Sequence, residues 1–350
     1  MRSFVEVNVS HIHHNIEQVR RISGDSLFMA IVKSNAYGLG MVELSHYIEP
    51  QVDRFGVNSV DEAIQLAQSG ITKPVHILAP YFDERLIESM IPTIDNIADL
   101  YRYEALCAKN GYHGRFHLKV NTGMNRFGLE PEQIEPFMNA YDDCGHVTME
   151  GVFSHFGSSY EKQPVFTKKQ WAAFMACKTL ITSYCKDRIL FHIANSAASI
   201  DLPESQLDMV RIGNAMYGFR SSAADIDLLP TYKVKTKILS IRSVKKKEYI
   251  GYGCTSKAKR DMQVAVISFG GYDGFDFIRQ PKSVLRTVYQ HFFAKPKLWM
   301  RSKSIPTLGK LSMNYILADV TDIQAKPGEE VTIRLPSILA LKESVLRKYI

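Results

Sequence analysis

With 350 residues, 45% of them hydrophobic, the chain can bury one large core and a second smaller one, which excludes a disordered protein and makes two domains the expectation. Its net charge of +7 is uneven: residues 228–350 hold 23 Lys and Arg against 9 Asp and Glu, a balance of +14, which leaves −7 for residues 1–227. Five cysteines (Cys107, Cys144, Cys177, Cys185, Cys254) form an odd set with no C-x-x-C pair, which argues against a disulfide framework and a metal site and for core packing.

The first residues, "MRSFVEVNVSHIHHNIEQ", contain no apolar run long enough for a signal peptide or a membrane span, and none follows, so a cytoplasmic protein with no membrane partner is expected. The segment "SLFMAIVK" then reads as a strand buried on both faces, with Lys33 where the strand emerges. Two readings of that lysine stand side by side. A charged residue at a strand end can snorkel to water. Alternatively, an amine desolvated by apolar surroundings has a lowered pKa and can attack a carbonyl to form a Schiff base.

Further along, strand-like runs recur at "RFGVNSV", "PVHILAP", "RFHLKVNTG", "VTMEGVFSHF", "ILFHIANS" and "MVRIGNAMYG", separated by helical patterns such as "DEAIQLAQSG" and "KKQWAAFMACKTLITSY". Repeated strand–helix units over this length predict an α/β domain over residues 1–227, and a closed (β/α)8 barrel fits its size better than an open sheet. After Leu228 the character changes to short strands with turn signals, "YKVKTKILSIRSV", "QVAVISF" and "EEVTIRL", so residues 228–350 read as an all-β domain, which the first few residues of the chain could join. The basic stretches Lys245–Lys247 and Lys257–Arg260 lack interleaved aromatics or a reader motif, so a solvated face is expected rather than a nucleic-acid partner. A basic lobe beside an acidic one could also pair across a subunit interface.

In a barrel the chemistry gathers where strands end and loops begin. Lys33, Lys119, His155, His192, Asn195 and Arg211 each follow an apolar segment, so closure would bring them to one mouth. Taken singly, each has a structural explanation: a satisfied core histidine, or an arginine in an ion pair.

Taken together, the motifs carry more. "AIVKSNAYGLG" resembles the cofactor-lysine motif of the alanine racemases, with Leu39 where histidine is usual, and "LKVNTGMNRFG", "GVFSHF", "FHIANSAAS", "VRIGNAMYG", "IGYGCT" and "GKLSMN" follow in the family's order. The resemblance implies a pyridoxal 5'-phosphate enzyme with an amino-terminal (β/α)8 TIM-like barrel and a carboxyl-terminal all-β domain. It implies an isomerase that interconverts L- and D-alanine by two bases and supplies D-alanine for peptidoglycan. By the same resemblance, Lys33 holds the cofactor as a Schiff base, and Tyr37, Ser196, Gly213 and Asn214 reach its phosphate beside Asn195. Arg211 faces the pyridine nitrogen, and His155 links Arg211 to the second base, Tyr252. Arg126 meets the substrate carboxylate and the cofactor's phenolic oxygen, oriented by Lys119, a position often carbamylated in the family. Met313 offers its backbone amide. Tyr252 and Met313 come from the other subunit, so the resemblance implies a homodimer with shared sites and a small amino acid as substrate.

Departures from the pattern are Gly271 in place of a tyrosine, with Tyr272 one position later; Lys310 for arginine; Asn314 for aspartate; and a shortened carboxyl end, in which Glu343 aligns where members of the family have an aromatic residue or glycine beside the phosphate, either repelling a carboxylate there or pointing away and leaving a more open pocket. They leave open a racemase for serine or a broader set of amino acids. From another class, a noncatalytic cofactor-binding protein shares only the barrel.

Overall fold

Eight parallel segments, each buried on both faces, are what a closed barrel requires. A computed structural model describes residues 3–159, 165–254, 256–274, 297–334 and 345–350, and the first two stretches carry those segments. In chain order the strands are β1 (Phe4–Val7), β2 (Leu27–Ile31), β3 (Arg54–Val57), β4 (Val75–Ile77), β5 (Met90–Ile91), β6 (Thr93–Ile94), β7 (Gly114–Lys119), β8 (Val147–Phe153), β9 (Leu190–His192) and β10 (Met209–Ile212). Parallel pairing runs β10–β2–β3–β4–β5 and β6–β7–β8–β9, and β5 and β6 are two halves of one strand interrupted at Pro92. A bridge between Asn195 and Arg211 joins β9 to β10 and closes the ring. Helices return the chain between strands, among them Val60–Gln68, capped by Ser59, and Ile97–Asn110, capped by Asn96 and ended by Gly111 at φ 70°.

The chain separates into two compact units, residues 10–36 with 41–230 forming the barrel, and residues 1–9, 37–40 and 231–350 forming the other. The second unit is strand-rich: β11 (Tyr232–Val244), β12 (Tyr249–Ile250), β13 (Ser256–Lys257), β14 (Met262–Ile267), β15 (Lys297–Met300), β16 (Lys303–Ile305), β17 (Thr307–Leu308), β18 (Ile316–Asp319), β19 (Glu330–Arg334) and β20 (Leu346–Tyr349). Its main sheet has the order β16–β15–β19–β11–β14–β18–β17. β1 belongs to it, antiparallel to β11 and parallel to β20. Val5, Val7, Val234, Val331 and Ile333 are fully buried in this sheet.

Of the cysteines, only Cys107 and Cys177 are buried; Cys144 and Cys185 are partly so and Cys254 is exposed, so core packing accounts for two of the five. No helix among the described residues is long and apolar enough to cross a membrane. Glu343 lies outside the described residues, as does Thr255 at the end of "IGYGCT".

Candidate active site

β2 ends at Ile31, and Lys33 begins a turn whose next four residues, Ser34, Asn35, Ala36 and Tyr37, all have φ between 51° and 56°. Four successive side-chain-bearing residues in the left-handed region cost roughly 1–2 kcal/mol each. The turn is therefore held from several sides. Ala36 N donates to Val32 O at 2.7 Å, Ser34 N to Glu62 Oε1 at 2.6 Å, and Met41 N to Asn35 Oδ1 at 2.7 Å. Gly38 and Gly40, which adopt positive φ without strain, follow, so the strained part lies before the glycines. Strain of this kind concentrates where a side chain must be aimed.

Burial lowers the Lys33 pKa, the charges of Arg126 and Arg211 lower it further, and Glu62 opposes them. Lys119, the last residue of β7, is 6% exposed and is pushed down to about 7 by desolvation and then by Arg211 and Arg126; its Nζ lies 4.4 Å from the centre of the Phe153 ring. Arg126 itself is exposed.

Arg211, in β10, is 4% exposed. Burial pushes its pKa down to about 9, which leaves the guanidinium charged at neutral pH. Its Nη1 donates to His192 Nδ1 (2.7 Å) and His192 O (3.0 Å), and its Nη2 to Ser154 O (2.6 Å), Ile193 O (3.1 Å) and His155 Nδ1 (3.3 Å). All five acceptors are uncharged when the histidines are neutral, and burial together with Arg211 and Lys119 lowers the His155 pKa well below the ordinary histidine range. His192 is wholly buried, so it belongs to the barrel interior rather than to the mouth.

Asn195 caps the short helix Ser196–Asp201 by accepting from Ala198 N at 3.1 Å, and it also accepts from Ser159 Oγ at 2.9 Å. Ser196 Oγ accepts from Gly213 N (3.0 Å) and Ala215 N (3.3 Å), an arrangement that leaves its O–H to be donated. Asn214 is partly buried beside them. Thus Lys33, Lys119, Arg126, His155, Asn195, Ser196, Arg211, Gly213 and Asn214 all belong to the barrel unit. Tyr37, Tyr252 and Met313 belong to the other unit. Burial pushes the Tyr37 phenol up to about 12, whereas Tyr252 and Met313 are 69% and 68% exposed.

The loop bearing Met313 is fixed within its own unit: Tyr272 N donates to Met313 O at 2.8 Å and Gly271 N to Ser312 O at 3.0 Å. A Cβ at Gly270 would sit 2.3 Å from Met313 O, so glycine is required there; at Gly271 the nearest atoms would be 3.8 and 3.9 Å away, so it is not. Among the basic stretches, Lys245 pairs with Asp261 at 2.9 Å on an exposed surface.

Three residues of this region were not singled out from the sequence: Glu62, which braces the lysine turn, and His117 and Glu150, which lie inside the barrel. A readable signal existed for His117, which is two positions before Lys119 and therefore on the same face of β7.

Comparison with known proteins agrees with this layout. The family description "Alanine racemase, N-terminal domain" matches residues 7–221, and "Alanine racemase, C-terminal domain" matches residues 231–341. An alanine racemase of Methanococcus maripaludis is 30% identical over 342 residues, covering 94% of this chain and 88% of that one. Alanine racemase 2 of Caldanaerobacter subterraneus is 31% identical over 340 residues, covering 94% and 84%. Among solved structures, the alanine racemase from D-cycloserine producing Streptomyces lavendulae superposes with a TM-score of 0.89 at 23% identity, covering 100% of this chain and 97% of that one. The Bacillus anthracis alanine racemase with bound L-Ala-P gives 0.86 at 24%, covering 100% and 95%, and at these identities the likeness speaks for the fold. With both domains matched in order and relatives at about 30% identity running almost end to end, the chain belongs to the alanine racemase family.

Proposed function

We propose that this chain is a pyridoxal-phosphate-dependent alanine racemase acting as a homodimer. The observation that carries the reading is the barrel's set of cations: the charges of Arg126 and Arg211 lie near enough to lower the pKa of both Lys33 and Lys119. Such a set is destabilising on its own and suits an anionic occupant. A phosphorylated cofactor with an acidic phenol, carrying a carboxylate substrate, is such an occupant. Ser196, with its O–H left to donate, fits a phosphate oxygen.

In this reading Lys33 attaches the cofactor, with Tyr37, Asn195, Ser196, Gly213 and Asn214 around its phosphate. Bound there, pyridoxal phosphate supplies an electron sink for the electrons left on the substrate α-carbon when its proton is removed. Lys33 takes or returns the proton on one face, a task for which its lowered pKa provides the neutral amine. Tyr252 of a second copy serves the opposite face. Its exposure and that of Met313 support delivery to another subunit, where the Met313 amide meets the substrate carboxylate. Arg126 binds that carboxylate and the phenolic oxygen, and Lys119 orients Arg126. With a pKa of about 7, Lys119 has enough neutral amine to take up carbon dioxide as a carbamate, which would exchange a positive charge for a negative one between two arginines. His155 joins Arg211 to the tyrosine, and the hydrogen bond from Arg211 is its barrel half.

Arg211 sets the character of the chemistry. A guanidinium that holds its own proton is a poor acid toward the pyridine nitrogen. It therefore keeps the cofactor a weak sink, which limits side reactions such as transamination. A second reading, broader amino-acid specificity, is favoured by Gly271, where the space around the position does not require glycine. Incubation of purified protein with single L-amino acids in deuterium oxide, followed by chiral analysis, tests both. Racemisation with α-deuterium incorporation of alanine alone is expected. Turnover of larger side chains would select the second reading, and no turnover with cofactor bound would sink both.

A further inference from the structure

The interior of the barrel holds a file of hydrogen-bonded groups that the chemistry above leaves unused. His117 and His192 are completely buried, and His117 Nδ1 lies 2.8 Å from His192 Nε2. Only one placement of protons satisfies every contact of two neutral rings. Arg211 Nη1 can only donate, so His192 Nδ1, 2.7 Å away, accepts. His192 then carries its proton on Nε2 and donates it to His117 Nδ1. His117 carries its own proton on Nε2 and donates it to Glu150 Oε2 at 3.1 Å. Burial lowers the pKa of both rings, in agreement with neutrality.

Two departures from regular strand geometry build this file. Along β7 and β8, Phe116 pairs with Met149 but His117 pairs with Gly151, so Glu150 is the extra residue of a bulge, a device that re-aims a side chain. At Gly151 a Cβ would stand 2.6 Å from His117 Cε1 and 2.7 Å from its Nδ1, so the missing side chain is what admits the ring. Phe153 stacks on His192 at 5.0 Å with the planes 4° apart, which fixes the second ring. At the far end, Glu150 is held by Arg54 at 2.5 Å and by Arg115 at 3.0 Å. Among the described residues no carboxylate lies within ion-pair distance of Arg211, so Glu150 is the anion linked to it through the two rings.

We propose that Glu150, His117 and His192 form a positioning relay: they fix the Arg211 guanidinium and bring a carboxylate's potential to it through two neutral imidazoles instead of by contact. A carboxylate in contact would offset the positive charge that Arg211 presents to the cofactor; at two rings' remove it orients the group and leaves the charge facing outward. The inference rests on the assignment of Arg211 to the pyridine nitrogen.

Nitrogen NMR of the imidazoles in the cofactor-free protein tests the relay without reference to activity. Both rings are expected in the Nε2–H form. An Nδ1–H or doubly protonated ring at either position would overturn the relay. Kinetics tests its link to Arg211. Glu150→Gln, nearly equal in volume, should shift the His117 nitrogen resonances and lower kcat for alanine roughly tenfold, the usual scale for a group one shell removed. KM and cofactor content should stay within about twofold of the wild type. Arg115→Gln takes an ion pair from the same carboxylate but leaves the His117 contact, and should leave kcat within about twofold. An equal loss in both variants, or an unchanged kcat in Glu150→Gln, would reduce Glu150 to a structural ion-pair partner. Should Glu150→Gln not fold, Glu150→Asp takes its place, and the wild-type spectra decide the proton positions regardless. A wild-type protein with no racemase activity would sink the functional reading and leave the spectroscopic result to be judged separately.

Discussion

Lowering the pH from about 7.5 to about 5.5 should destabilise the barrel by an amount that follows from its buried rings. His76, His117 and His192 are each 0% exposed, and all three have lowered pKa values, mainly through desolvation. In the unfolded chain they titrate near 6.5. Below that pH the unfolded state takes up protons that the folded state refuses, so the stability from neutral burial is complete above about pH 6.5 and is lost as the pH falls toward the folded pKa values. One pH unit below the unfolded pKa, each ring has cost about 1.4 kcal/mol, and three together up to about 4 kcal/mol. Glu150 opposes this at His117, so the three-ring figure is an upper bound. Set against a typical stability of about 5–15 kcal/mol, the loss is large. The Glu150 carboxylate does not confuse this window: its folded pKa is depressed below 4.5, so its own contribution is lost only at lower pH. Equilibrium urea unfolding followed by Trp171 fluorescence, in a Trp299→Phe background, reads the barrel alone. His76 is the ring to remove, because among the described residues its Nδ1 has no hydrogen-bond partner and its Nε2 hydrogen-bonds only Thr93 Oγ1, at 3.1 Å. His76→Leu should flatten the pH slope by about a third. A barrel whose stability is unchanged between these pH values, or a slope unaltered in His76→Leu, would refute the argument that these rings are held neutral.

Two further outcomes are expected. Lys33→Ala should abolish the cofactor adduct that borohydride fixes to the wild-type chain, and mass spectrometry that finds the same adduct on another lysine would remove Lys33 from its role. Mixing Lys33→Ala with Tyr252→Phe subunits, each expected to be nearly inactive alone, should restore part of the activity, because a hybrid of the proposed dimer would contain one intact site. No recovery after demonstrated subunit exchange would mean that both bases come from one chain.

How much of this was visible in the sequence depends on whether a residue's role is set by its strand or by its neighbour's register. Lys33, Asn195 and Arg211 stand at the ends of apolar runs, which suggested their gathering at the barrel, whereas Ser196 is reached only through the motif's resemblance to the family and His192, at the end of such a run too, lies in the interior. Glu150 was hidden by the bulge: strict period-two reading of "VTMEGVF" sends it away from His117, and the extra residue opposite Phe116 and His117 turns it back. The left-handed run from Ser34 to Tyr37 was hidden for another reason. Of these four residues only Asn35 is of a type that tolerates positive φ, so local preference speaks against the turn, and the brace that Glu62 gives to Ser34 N comes from 28 residues away. That the first residues join the second domain was expected, but the partners of Phe4–Val7 within it lie over two hundred residues away, and no periodicity names them.

That last pairing has a consequence for how the molecule is made. Phe4 pairs with Lys235 on one side and Leu346 on the other, so this strand leaves the ribosome well before either of its neighbours. At about 5–20 residues per second, synthesis of the intervening barrel takes on the order of ten to fifty seconds before β11 appears. Throughout that interval "FVEV", whose two valines end fully buried, waits as an unpaired edge with apolar side chains, the kind of segment that pairs with whatever strand it meets. The order of translation therefore exposes Phe4–Val7 to wrong pairing during synthesis, before the strands that bury it exist.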